Sequence, residues 1–252
     1  MQEQSWSSRL ETASQYYQNA AASDTIGRLC EKSVHGILKF YLDDDPTHHE
    51  VPLPEGPVAD IFDGKLVTEI QSANYGALAK KLPKLLPHYS VKVVCPLLRE
   101  RYLYTLSGET GSVDNIRKSP LHGARHTALV ALADLDPFFD HPNFKIEFYL
   151  IDVAEYRVPT ANKRKPYEKR DRVPTAIVDV FCVEGREDYQ GLLPSGLSMQ
   201  FTAKEFTKKI GQRPRKANYV LKLLQKSGVI KRVGLEGRAY LYEIQSPKSM
   251  EV

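Results

Sequence analysis

Asp60, Glu69 and Gln71 lie within one short run, VADIFDGKLVTEIQ, at positions 58–71. Asp63-Gly64, set between alternating apolar runs, is a turn signal. A two-residue turn there pairs Phe62 with Lys65, Asp60 with Val67 and Val58 with Glu69. Side chains alternate faces along a strand, which puts Asp60, Val67, Glu69 and Gln71 on one face. Ala59, Ile61, Leu66, Thr68 and Ile70 then face a core. Diagonal cross-strand side chains start roughly 7–8 Å apart, so the two carboxylates can lean onto one divalent ion. A hard cation such as Mg2+ takes oxygen ligands, keeps several waters and uses one or two carboxylates plus a substrate phosphate. The Gln71 amide is placed to orient a water.

The elements that must position these groups are legible around them. Ile26, Leu29, Cys30, Val34, Ile37, Leu38 and Tyr41 recur at helical spacing, predicting a helix over 26–41. Glu31 sits at the margin of its apolar stripe, where a carboxylate can lean toward the hairpin. Residues 76–86 read as a second helix and 89–95 as a strand.

This order of helix with Glu, hairpin with Asp and then Glu-x-Gln, helix and strand resembles the PD-(D/E)xK, or restriction-endonuclease-like, nuclease superfamily over about the first hundred residues. The resemblance implies an α/β fold, a mixed sheet flanked by helices. It also implies a Mg2+- or Mn2+-dependent nuclease in which Glu31, Asp60 and Glu69 hold the metal and Gln71 positions the attacking water. The departure is Gln71, where the superfamily more often has Lys. A neutral amide cannot stabilise hydroxide by charge, so activation of the water would fall to the metal. The substitution keeps open a catalytically silent relative, a DNA-binding regulator or repair-assembly factor. A protein-interaction scaffold is the third class, which salt-dependent nucleic-acid binding would separate from both.

The formal net charge of +4 conceals an asymmetry: residues 1–156 hold 15 basic and 21 acidic residues, whereas residues 157–252 hold 20 and 10. Residues 157–175, with three prolines and seven basic residues, read as an exposed linker or a loop tracking phosphates. The expected division is a nuclease-like domain over 1–156, a basic linker and connecting strand over 157–199, and a small domain over 200–252.

In that last segment Thr202 and Glu205 form a capping-box signature opening a helix. Pro214 starts a second helix with Tyr219, Val220, Leu223 and Leu224 as its apolar stripe, and residues 229–244 read as a hairpin. Helix, turn, basic helix and hairpin resemble a winged-helix domain. The resemblance places Arg213, Arg215, Lys216 and Asn218 at the start of the recognition helix, where they reach phosphates and base edges. Lys231, Arg232 and Arg238 fall on the wing. Residues 201–244 carry 11 basic and 3 acidic residues, enough to attract DNA, and by the same charges RNA, at low salt.

The middle region reads as a strand at 101–107, a helix at 122–135 and a strand at 145–153. His122 and His126 read as ordinary helix histidines and the His48-His49-Glu50 cluster as loop. Cys30, Cys95 and Cys182 lie in apolar stretches without Cys-x-x-Cys spacing and are expected to be buried. No run approaches the length of a membrane span, and the polar start MQEQSWSSRLE lacks a signal pattern, so no membrane partner and a cytoplasmic location are expected. A homodimer is the arrangement that nucleases cutting both strands often need.

Overall fold

The computed structural model describes residues 2–23, 33–54, 56–107 and 111–245. A helix not expected from the sequence, α1, spans Gln2–Ser23. Leu10 and Ala13 are buried, and Trp6, Tyr17 and Ala20 pack against the same core. The steps of three and four between them define a helical stripe. It packs on α2 (Ser33–Leu42), the described part of the helix predicted over 26–41. Glu31 and Cys30 lie outside the described residues.

At Gly36 of α2 an added Cβ would stand 2.1 Å from Cε2 of Tyr17 on α1. Gly36→Ala is therefore expected to displace the Tyr17 ring and cost about 1–3 kcal/mol, measurable as a lower urea midpoint with an unchanged m-value.

A seven-stranded mixed sheet forms the centre, in the order β1-β2-β3-β4-β6-β7, with β5 paired to β4. The strands are β1 (His49–Pro52), β2 (Val58–Phe62), β3 (Leu66–Ile70), β4 (Ser90–Leu106), β5 (Val113–Lys118), β6 (Phe144–Pro159) and β7 (Tyr167–Cys182). Parallel pairing of β3, β4 and β6 demands cover on both faces. Helices α1 and α2 cover one face, over Ile61, Ile70, Val94 and Ile151. Helices α3 (Tyr75–Leu85) and α4 (Ala128–Leu135) cover the other, over Val67, Val91, Val93 and Ile146.

Several expectations are corrected by this sheet. The His48-His49-Glu50 cluster is not loop: a 3-10 turn, Pro46–His48, leads into β1, and Glu50 pairs with the buried Lys39 of α2. The strands expected at 89–95 and 101–107 are one bulged strand, β4. His122 precedes the 3-10 turn Arg125–Thr127 that holds His126, so the two histidines do not share a helix. Cys95 is buried but Cys182 is exposed.

The expected linker over 157–175 is instead an antiparallel hairpin of β6 and β7 within the main sheet. Cross-strand pairing substitutes for the missing apolar side chains. Arg172 Nε donates to Glu155 Oε2 at 2.5 Å, and the Arg157 guanidinium lies 3.9 Å from the Tyr167 ring centre.

The C-terminal module comprises β8 (Gln200–Thr202), α5 (Ala203–Ile210), α6 (Pro214–Lys226), β9 (Ile230–Glu236) and β10 (Ala239–Ile244). Its strands form a separate sheet in the order β8-β10-β9. The capping box is present: the Glu205 carboxylate accepts from the Thr202 amide at 2.7 Å, and the Glu205 amide donates to the Thr202 hydroxyl. Phe201, Phe206, Val220 and Leu224 are continuous with the core beneath α3 and α4. The module is thus docked on the α/β body.

Candidate functional site

The Asp63-Gly64 turn is longer than two residues. The Asp63 carboxylate accepts the amides of Lys65 and Leu66, both at 2.8 Å, an Asx-type closure that Gly64 allows with φ of +88°. Pairing consequently resumes at Phe62 with Val67 and Ile61 with Thr68, two residues off the register of a two-residue turn. At Asp60 the ladder stops, and its carboxylate, in place of a β2 carbonyl, accepts the Ile70 amide at 2.7 Å. The facing of β2 changes there. Ala59 joins Val67 in the core beneath α3, whereas Ile61 joins Ile70 beneath α2.

The face that carries Val67 and Glu69 is covered as well. Val67 is fully buried and Glu69 is 3% exposed, because β3 lies inside the sheet between β2 and β4. Helix α3 provides the cover through Tyr75, Leu78, Leu82 and Leu85. From the margin of that stripe Lys81 Nζ reaches Glu69 Oε2 at 2.6 Å and the Val58 carbonyl at 2.7 Å. On the opposite side, His35 Nε2 of α2 lies 3.1 Å from Asp60 Oδ2.

The electrostatics of the two carboxylates diverge. Burial pushes the Glu69 carboxyl up to about 7, aided by the nearby Asp60 charge and opposed by Lys81. Burial acts on Asp60 in the same sense, but His35, the Ile70 amide and Lys81 outweigh it and hold that carboxyl below its ordinary value. Glu69 Oε1 is buried with no hydrogen-bond partner. An orphaned buried carboxylate oxygen is a costly feature.

The site therefore joins Asp60 and Glu69 with His35 and Lys81, two residues that the sequence reading did not select. The signal for Lys81 was its place one residue before Leu82 on a predicted helix, although its approach to Glu69 is set by packing across β3. Gln71 lies apart from the ion pair. Its amide donates to the Ala73 carbonyl, and it borders a groove of about 610 Å³ with Val34, His35, Leu98 and the strand segment 169–172. Glu31 lies outside the described residues. Among the described residues, no cluster of three or more His, Cys, Asp or Glu side chains could hold a metal, so Asp60 and Glu69 are a pair.

The basic residues of the C-terminal module fall into two groups. Arg213 occupies the N-cap position of α6, and Arg215, Lys216 and Asn218 are exposed near the start of that helix. Arg213, Arg215 and Lys216 border a groove of about 630 Å³ whose opposite wall is Val130, Ala133 and Asp134. Lys231 and Arg232 are exposed on β9, and Arg238 is exposed in its turn to β10. Among the described residues no helix is long and apolar enough to cross a membrane.

An uncharacterised protein of Treponema pallidum (strain Nichols) is 29% identical to this chain over 229 residues, covering 88% of this chain and 89% of the relative. No solved structure matches. A family model described as a domain of unknown function, DUF8091, matches residues 32–184, which span α2 to the end of β7 and contain His35, Asp60, Glu69 and Lys81. On that match the chain belongs to the DUF8091 family.

Proposed function

We propose that the chain is a divalent-metal-dependent nuclease of restriction-endonuclease-like fold that hydrolyses DNA phosphodiester bonds, with the C-terminal module acting as a winged helix that holds the nucleic acid. The observation that carries this reading is the Glu69 carboxylate. It is buried beside Asp60, neutralised on one oxygen by Lys81 and unpartnered on the other. The succession of α2, the β2–β3 hairpin, α3 and β4 supports the same reading.

The donors fit a hard cation, since two carboxylates suffice when substrate phosphate and water complete the shell. Asp60 and Glu69 would hold it, and a bound Mg2+ would supply Lewis-acid polarisation of the phosphate and a more acidic water. His35 fixes the Asp60 carboxylate. Lys81 provides the cationic charge that Gln71 lacks, placed to stabilise negative charge gathering on the phosphate. The basic residues of α6 and β9 raise the local concentration of nucleic acid.

A specific observation favours the silent DNA-binding regulator as the second reading: the Gln71 amide is engaged with its own loop. Incubation of supercoiled, linear, branched and single-stranded DNA with Mg2+ or Mn2+ separates the two. The nuclease reading expects cutting that chelation abolishes and that Lys81→Met slows by about 100-fold. Tight, salt-sensitive binding without cutting by the intact protein would replace it with the regulator.

A further inference from the structure

The sheet carries an aromatic surface that the metal-site reading does not use. Tyr104 of β4 lies opposite Tyr156 of β6, with ring centres 5.0 Å apart. Tyr102, two residues earlier, shares their face and is 38% exposed. Lys118 of β5 pairs with Tyr102 and sets its ammonium 6.0 Å from that ring centre. On the other side Tyr156 lies opposite Asp171 of β7, whose carboxylate accepts from the Ser33 amide and hydroxyl at the start of α2.

Residues 169–172 of β7, which include Asp171, also form a wall of the groove holding His35 and Gln71. The β7 edge thus runs from beside Tyr156 to that groove. Along the same edge Lys163, Arg164 and Lys165 are exposed at the tip of the β6–β7 hairpin, and Lys169 and Arg170 are exposed on β7.

We infer that this surface binds single-stranded nucleic acid, with unpaired bases stacking on Tyr102, Tyr104 and Tyr156 and phosphates following the basic β7 edge toward the His35 groove. The inference rests on the nuclease reading only for the direction of the strand; the binding itself needs no metal. Partly exposed rings bordered by cations are what a flexible polyanion with π-faces recognises. A stacked duplex hides those faces, so the surface selects unpaired segments.

The test is fluorescence anisotropy in EDTA, with the full chain and labelled oligothymidylate, oligouridylate and blunt duplex, each of about 16 nucleotides. Tyr156→Ala and Tyr102→Ala are each expected to weaken single-strand binding about 5- to 100-fold, the range for one lost stacking partner. Duplex binding should move less than about twofold, and Tyr156→Phe should bind as the intact protein does. The oligothymidylate and oligouridylate arms separate DNA from RNA as the source of the strand. Equal losses for duplex and single strand, or a Phe variant as weak as Ala, would overturn the inference. Because no metal is present, its failure is distinguishable from failure of the nuclease reading, which only the cleavage assay addresses.

Discussion

Glu69→Gln is expected to abolish metal-dependent cleavage while raising the thermal midpoint of the protein at pH 8. The first half follows from the ligand set. With two carboxylates available to a cation, replacing one by an amide should lower activity by at least about 100-fold, the upper range for losing even an outer-shell support of a metal site. The second half follows from burial. The native state holds the Glu69 carboxyl up to about 7, above its ordinary 4.5, so it keeps a proton that the unfolded chain releases.

Such a group contributes stability fully below about pH 4.5, and the contribution is lost as pH rises through about 7. Above that point the ionised carboxylate destabilises the fold by about 1–3 kcal/mol relative to its protonated form. Gln imitates the protonated form at every pH. Lys81 keeps its bond to the Val58 carbonyl and can donate to the oxygen of the new amide. The variant should therefore melt higher than the intact protein at pH 8, by about 2–4 °C for each kcal/mol, and the difference should vanish near pH 5. Added Mg2+ should raise the midpoint of the intact protein by mass action and leave the variant unmoved. A variant that melts lower at pH 8 and cuts normally would reduce Glu69 to a structural ion pair. Gain of stability with loss of activity is what a strained functional group produces.

The parts of this site that were legible in the sequence are those written in local chemistry. Period-two alternation placed Asp60 and Glu69 on adjacent strands, and the turn signal at Asp63-Gly64 located the hairpin. The register escaped because the Asp63 side chain, rather than the backbone alone, closes the turn. Lys81 and His35 escaped for a different reason, since each reaches its carboxylate across packed layers from opposite faces of the sheet. The basic hairpin at 157–175 looked like a linker because composition reports apolar content. Its strands are held by pairs such as Arg172 with Glu155, which appear only once the register is known. The C-terminal module was legible because caps and stripes are local, whereas its docking on α4 was not.

That docking includes one buried carboxylate, and Asp136→Ala is expected to destabilise the protein more than loss of its exposed partner Lys226. Asp136 follows α4, and its side chain is 4% exposed. Its oxygens accept from Arg186 Nε at 2.9 Å, the Tyr189 hydroxyl at 3.1 Å and Lys226 Nζ of α6 at 2.8 Å. Burial would raise its carboxyl, but Lys226, Arg186 and Tyr189 together hold it below the ordinary value. Removing it strands the hydroxyl of the fully buried Tyr189, which costs about 1–3 kcal/mol, whereas Arg186 keeps Asp140 and the backbone carbonyl of residue 136. Lys226→Ala should cost about 1 kcal/mol or less, because its side chain is 65% exposed. Urea unfolding of both variants measures the contrast. For Asp136→Ala the transition should also divide in two, the C-terminal module melting before the sheet, because Asp136 ties α6 and the 186–192 segment to the end of α4. Equal small losses in the two variants would mean that the shared apolar core alone holds the module in place. A single transition at much reduced stability would instead make the module and the sheet one cooperative unit.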